Sequence, residues 1–123
     1  MIQIDNSSSK ALYEQVYEEI QRLILSRALK PDEKLPSVRE LAAMVKINPN
    51  TIQKAYKSLE EDNYIYTVKG KGNFVNNTVE LRNVYRRNTE EKLNEAVCSL
   101  KNLGLKDDYI VELVEEVLNP SKG

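Results

Sequence analysis

Four polar side chains recur at helical spacing near the middle of this 123-residue chain. They are two amides and two lysines, namely Asn50, Gln53, Lys54 and Lys57. Residues three and four apart lie on one side of a helix, so this spacing predicts a single polar and basic helix face. Amides can pair with the edges of bases, and ammonium groups can pair with phosphates. The face is therefore suited to contact with nucleic acid.

The distribution of charge supports the same chemistry. The whole chain has a formal net charge of −1. The stretches 34–58 and 63–79 together hold seven basic residues and one acid, Glu40, whereas the other acids concentrate in the first helix and the C-terminal third. This asymmetry predicts a positive face on a near-neutral molecule. Ordinary solvated charge is the alternative interpretation.

Several classes of protein are disfavoured by what the composition lacks. The chain has no histidine and one cysteine, which excludes a Ser-His-Asp or Cys-His nucleophile and argues against a zinc site. We therefore expect no enzyme, no cofactor and no metal. No apolar run approaches the ~20 residues of a membrane span. With no secretory signal and a single thiol, a cytoplasmic protein without membrane contact is expected.

Start and stop signals predict the helices that position the polar face. Apolar spacing predicts a first helix over residues 10–28, ended by Pro31. Ser37 followed by Glu40 is a capping box that begins a short helix over 37–45. Asn48-Pro49 begins the next helix, over 49–62, whose opposite side carries Ile52, Ala55, Tyr56 and Leu59. The pattern is typical of a helix-turn-helix at about 37–62.

A hairpin follows the second of these helices. Residues 64–68 and 73–75 are rich in β-formers, and they flank a turn with two glycines and two lysines. The order predicts a winged helix-turn-helix domain over residues 1–78, with its wing at 64–75. The basic tip, Lys69-Gly70-Lys71, could reach phosphates or a flanking groove.

The C-terminal stretch 79–123 predicts two amphipathic helices separated at Gly104. Two such helices cannot bury both apolar sides within one subunit, so a two-fold dimer is the expected solution. Folding back on the first domain is the alternative. The predicted fold class is mainly α with a small β-hairpin, a winged helix-turn-helix plus a C-terminal two-helix dimerisation arm. The expected dimer interface is Leu93, Val97, Leu100, Ile110, Leu113, Val114 and Val117.

Three long motifs carry a family resemblance. They are LYEQVYEEI at 12–20, LKPDEKLPSVRELA at 29–42 and NPNTIQKAYKSLEEDNYIYTVKGKGNFV at 48–75. The stretch Ala11 to Val75 resembles the DNA-binding domain of the GntR family of bacterial regulators. The short tail resembles that of the small YtrA-type subfamily, whose members lack a large effector domain and dimerise through the tail.

The resemblance implies roles for particular residues. Arg39 stands where the family places an arginine that contacts phosphate or base, and Gly70 matches the glycine of the wing. Some members carry arginine where this chain has Pro49 and Gln53, and Gln53 could instead pair with adenine. The complete candidate DNA-binding set is Ser37, Arg39, Asn50, Thr51, Gln53, Lys54, Lys57, Lys69, Gly70 and Lys71.

The expected function is that of a homodimeric transcription repressor on double-stranded DNA. A two-fold dimer reads a palindromic operator with half-sites about one helical turn, ~34 Å, apart. The resemblance implies control of a transporter operon. An unknown small-molecule effector would bind at the dimer interface or between tail and domain. The alternative is a winged-helix protein-interaction module without direct DNA binding.

Overall fold

The structure is a computed structural model, and it describes residues 4–5 and 10–121. The chain divides into two compact units, one up to Arg82 and the other from Asn83 onward. The predicted class, mainly α with a small β-hairpin, is confirmed. The elements are α1 (Leu12–Leu25), α2 (Val38–Val45), α3 (Pro49–Glu61), β1 (Ile65–Val68), β2 (Gly72–Val75), α4 (Val79–Asn102) and α5 (Asp107–Leu118).

The first unit is built around α3. The four apolar residues predicted on its inner side are all buried. They pack in one cluster with apolar residues of α1, α2 and the hairpin, because each of these elements has an apolar side to remove from water. The other buried members of this core are Val16, Ile20, Ile24, Leu35, Leu41, Ala42, Tyr64, Ile65 and Val75.

Local capping fixes where α2 and α3 begin. The Ser37 hydroxyl accepts a hydrogen bond from the Glu40 backbone N–H at 3.1 Å, and the Glu40 carboxylate accepts one from the Ser37 N–H at 3.0 Å. Asn48 caps α3 by accepting from the Asn50 N–H at 2.8 Å, with Pro49 at the first helical position. Lys46, with a left-handed φ of 57°, makes the turn between the helices. The predicted capping box and Asn-Pro start are confirmed.

The first helix ends earlier than its sequence predicts. It stops at Leu25, and Arg27 adopts a left-handed φ of 65°. The Leu29 N–H then donates to the Leu23 carbonyl at 2.9 Å, which closes the helix end. The prediction that Pro31 terminates this helix was therefore wrong, because the chain has already turned away before the proline.

The hairpin is anchored by the segment that precedes α2, residues 32–35. Strands β1 and β2 pair antiparallel, with Ile65 opposite Val75. Residues 32–35 run along the free edge of β2: the Asp32 N–H donates to the Val75 carbonyl at 2.7 Å, and the Leu35 N–H to the Asn73 carbonyl at 2.9 Å. The wing is thus tied directly to the chain that leads into α2.

The second unit contains most of α4 and all of α5. The expected stop at Gly104 is confirmed, since this residue has a left-handed φ of 82° after α4 ends at Asn102. The N-cap of α5 is Lys106, without a side-chain hydrogen bond. Among the described residues, no helix is both long and apolar enough to cross a membrane.

Candidate nucleic-acid interface

The exposed side of α3 carries the amides and lysines that the sequence placed there. Asn50, Gln53, Lys54 and Lys57 are all exposed, on the opposite side from the buried stripe. Thr51 is half-buried. The acids Glu60 and Glu61 lie in the last turn, so the first turns of the helix present no carboxylate of their own. This end of α3 can approach a polyanion without like-charge repulsion from its own side chains.

Lys54 differs from the other lysines of this face because it has a partner. Its ammonium nitrogen lies 3.9 Å from the centre of the Tyr13 ring on α1. A cation over an aromatic ring is attracted to the ring's negative face, so Tyr13 holds the end of this side chain beside α1. Lys57 has no such ring contact among the described residues. Sequence periodicity placed Lys54 on the correct face but gave no sign of the tyrosine.

The start of α2 supplies two further candidate contacts, Ser37 and Arg39, and both are exposed. The Ser37 hydroxyl accepts a hydrogen bond from the Glu40 backbone N–H. The backbone and hydroxyl hydrogen bonds from Ser37 hold the pKa of the Glu40 carboxyl below its usual range. Glu40 is therefore ionised at neutral pH, and its carboxylate is hydrogen-bonded at the start of its own helix.

The tip of the wing presents Lys69, Gly70 and Lys71, all exposed. Gly70 has a left-handed φ of 78°, and a Cβ added there would meet no atom within 4 Å. The glycine is thus needed for backbone conformation rather than for packing. Below the tip, Tyr66 stacks on Phe74 at 5.6 Å between ring centres and donates its hydroxyl to Asp32 at 2.8 Å. These contacts hold the base of the wing while its tip stays open.

A tyrosine cluster fixes the far end of α3 against α1. The Tyr17 hydroxyl hydrogen-bonds to the Asp62 carboxylate at 2.5 Å, and the Tyr17 ring meets the Tyr64 ring edge-on at 6.2 Å. Gln21 donates to the Tyr64 hydroxyl at 3.0 Å. Burial, followed by the Asp62 carboxylate, raises the pKa of Tyr17, so its phenol stays protonated as a donor. These contacts join the end of α3 to α1 and lie outside the exposed polar face of α3.

The seven residues expected at a dimer interface differ in exposure. Leu93 is 57% exposed and Val117 is 77% exposed. Leu113 and Val114 are 39% and 40% exposed, and Val97 and Leu100 are half-buried. Ile110 is only 6% exposed within the single chain, so it has little surface left for a partner.

Comparison with known proteins identifies the first unit. Residues 12–75, which include α1 to α3 and the whole wing, match the family model described as "Bacterial regulatory proteins, gntR family". This chain belongs to the GntR family. The transcriptional repressor YtrA of Bacillus subtilis is 37% identical over 125 aligned residues, covering 100% of this chain and 96% of that protein.

Solved structures of GntR-type proteins agree with this assignment. A transcriptional regulator from Oenococcus oeni is 32% identical, with a TM-score of 0.76, and covers 97% of this chain and 100% of its own. The DNA-binding domain of AraR in complex with an operator is 35% identical, with a TM-score of 0.51 over 61% of this chain and 94% of its own. The predicted winged helix-turn-helix fold and the family are thus confirmed.

Proposed function

We propose that this GntR-family chain is a sequence-specific DNA-binding transcription regulator that acts as a repressor. The observation that carries the proposal is the exposed face formed by the starts of α2 and α3 and the tip of the wing. Seven cations lie in the two stretches that supply these elements, against one acid, Glu40. That acid is ionised but hydrogen-bonded within its own helix start. The similarity to the YtrA repressor supports the same function.

Each element would have a distinct role on the duplex. The start of α3 fits the major groove, where Asn50 and Gln53 could pair with base edges. Lys57 suits phosphate, because lysine is a flexible point charge rather than a planar reader. Arg39 at α2 and the lysines of the wing would fix the register on the backbone.

The contact with Tyr13 restricts where Lys54 could bind DNA. Its ammonium is held over Tyr13, so it would contact phosphate only on the flank of α3 that faces α1. A direct base-reading role is not proposed for it. Thr51, being half-buried, would contribute at most a short contact at the edge of the groove.

We further propose that the active form is a homodimer joined through α4 and α5. The second unit exposes large apolar side chains, including Leu93 and Val117, whose burial against another chain would be favourable. A two-fold dimer would place two copies of α3 on the half-sites of a palindromic operator. Ile110 is omitted from this interface, since it is already buried in one chain.

A cytoplasmic location, the absence of enzymatic activity and control of a transporter operon complete the proposal. A small-molecule effector also stays a prediction. The first unit contains an apolar cavity of about 390 Å³ that could take an uncharged ligand, and its lining includes Leu23, Leu41, Met44 and Tyr56. This cavity lies within the winged-helix unit, whereas the sequence predicted an effector at the dimer interface or between tail and domain.

The test is an electrophoretic mobility shift with the full chain. DNA from immediately upstream of its own gene is compared with an unrelated duplex of equal length. Tight binding to the first and weak binding to the second support a specific regulator that acts at its own operon. Equal, weak binding to both would contradict operator recognition there and favour the protein-interaction module.

A further inference from the structure

Lys34 lies beside the wing although it is distant from it in sequence. Residues 32–35 pair along β2, which places Lys34 opposite Phe74. Its side chain passes close to Gly72, two residues before Phe74 on β2. A Cβ built on Gly72 would lie 3.1 Å from Cε and 3.9 Å from Nζ of Lys34. The lysine therefore occupies the space that a side chain at position 72 would fill.

This arrangement sets the end of Lys34 between two parts of the proposed DNA-binding face. On one side is Gly72, directly after Lys71 of the wing tip. On the other is the start of α2, where Lys34 is close enough to interact electrostatically with Glu40, the neighbour of Arg39. The segment 34–37 is the short connection that joins the two parts.

Lys34 is exposed, and its ammonium forms no ion pair with the part of the chain that the structure describes. Across residues 4–5 and 10–121, no carboxylate lies within 4.0 Å of it. The Glu40 carboxylate, which interacts electrostatically with Lys34, already accepts the Ser37 backbone N–H at 3.0 Å. An unpaired cation, held by the backbone pairing of its segment, is available to an external anion.

We propose that Lys34 contacts a phosphate of the DNA backbone between the start of α2 and the wing. The inference rests on the proposed DNA-binding function and adds a residue to it. Lysine fits phosphate as a point charge and carries no base preference, so Lys34 contributes affinity without specificity. Gly72 leaves room for the lysine side chain to cross the strand.

The variant Lys34→Gln tests this through the salt dependence of binding. Fluorescence anisotropy with a labelled mixed-sequence duplex gives the slope of log K against log salt. Each lost phosphate contact reduces the magnitude of that slope by about 0.9 per bound subunit. Lys34→Gln should show this loss and weaken binding to operator and unrelated DNA by the same factor, whereas Lys34→Arg should keep the wild-type slope.

The matched control is Lys30→Gln, an exposed lysine in the same connecting segment but outside the residues that pair with β2. It should leave the slope unchanged. A wild-type slope in a folded Lys34→Gln variant would overturn the inference while DNA binding itself stands, and so would a loss confined to the operator. If the wild-type protein binds no DNA, the proposed function and this inference fail together.

Discussion

The exposed side chains of the proposed DNA-binding face have two roles, contact with the bases and contact with the DNA backbone. Asn50 and Gln53 are exposed amides at the start of α3, and the amide group pairs best with adenine. No arginine stands in α3, so this helix lacks the guanidinium that commonly contacts guanine. We therefore expect the base preference of this protein to include adenine at the positions that α3 reaches.

The residue-scale prediction concerns Arg39. In Arg39→Ala, the guanidinium that can form a bidentate contact is lost, which is worth about 1–3 kcal/mol, or roughly thirty-fold in affinity at the centre of that range. Anisotropy titration with the operator measures the change. Lys30→Ala is the matched control for a lost surface cation. A loss of less than about two-fold in a folded Arg39→Ala variant would contradict a DNA contact at this position.

Contacts between side chains of different elements could not be predicted from the sequence. The spacing of polar residues placed Lys54 and Lys57 on one face, which the structure confirms. The contact between Lys54 and Tyr13 depends on how α1 crosses α3, and helical periodicity in one segment contains no information on that crossing. Lys34 entered the sequence analysis only as one of the basic residues of 34–58, because its position beside the wing depends on the long-range pairing with β2.

At the scale of elements, local sequence signals predicted where helices begin better than where they end. Ser37 with Glu40 and Asn48 with Pro49 specify hydrogen bonds within four residues, so the helix starts could be read directly. The end of α1 depends on Arg27 taking a left-handed conformation, which arginine does not signal. The pairing of residues 32–35 with β2 joins segments about forty positions apart and has no local signature.

The element-scale prediction concerns the start of α2. Ser37→Ala removes the hydroxyl that caps the Glu40 N–H and should lower the free energy of unfolding by about 1 kcal/mol. Urea unfolding followed by circular dichroism, at one protein concentration, gives the value. Ser99→Ala replaces an exposed serine of α4 that is not at a helix start, and it should change stability little. Equal stability of the two variants would show that the cap is dispensable.

The same substitution has a consequence for Glu40. Its lowered pKa means that the ionised carboxylate favours the folded state at neutral pH, and this contribution is lost as the pH falls below the ordinary value of about 4.3. Losing the Ser37 hydroxyl should raise the pKa of Glu40 towards that ordinary value. A titration of the side-chain carboxyl by NMR follows both proteins.

At the scale of the whole molecule, the second unit leaves large apolar side chains exposed, which supports the proposed dimer. The structure confirms the two predicted helices, but α4 buries none of its residues, and Leu93, Val114 and Val117 stay accessible in a single chain. Which apolar residues a chain buries by itself could not be read from periodicity alone. Ile110 shares its helical stripe with Leu113, Val114 and Val117 but is buried.

The matching prediction is that Leu93→Asp separates the dimer into monomers. A carboxylate in the interface would lose its hydration without a partner, which disfavours association. Sedimentation velocity over a range of concentrations reports the mass. Ser99→Asp places the same charge on an exposed polar position of α4 and should stay dimeric. A Leu93→Asp protein that still sediments as a dimer would move the interface elsewhere.

The most direct test of the central claim is a DNA titration followed by amide chemical shifts. The operator duplex is added to isotope-labelled protein and every backbone amide is observed. The account predicts that the largest changes fall at 34–39, 50–57 and 69–71, the starts of α2 and α3 and the tip of the wing. Changes confined to α4 and α5, with these three segments unmoved, would contradict DNA binding through the winged helix.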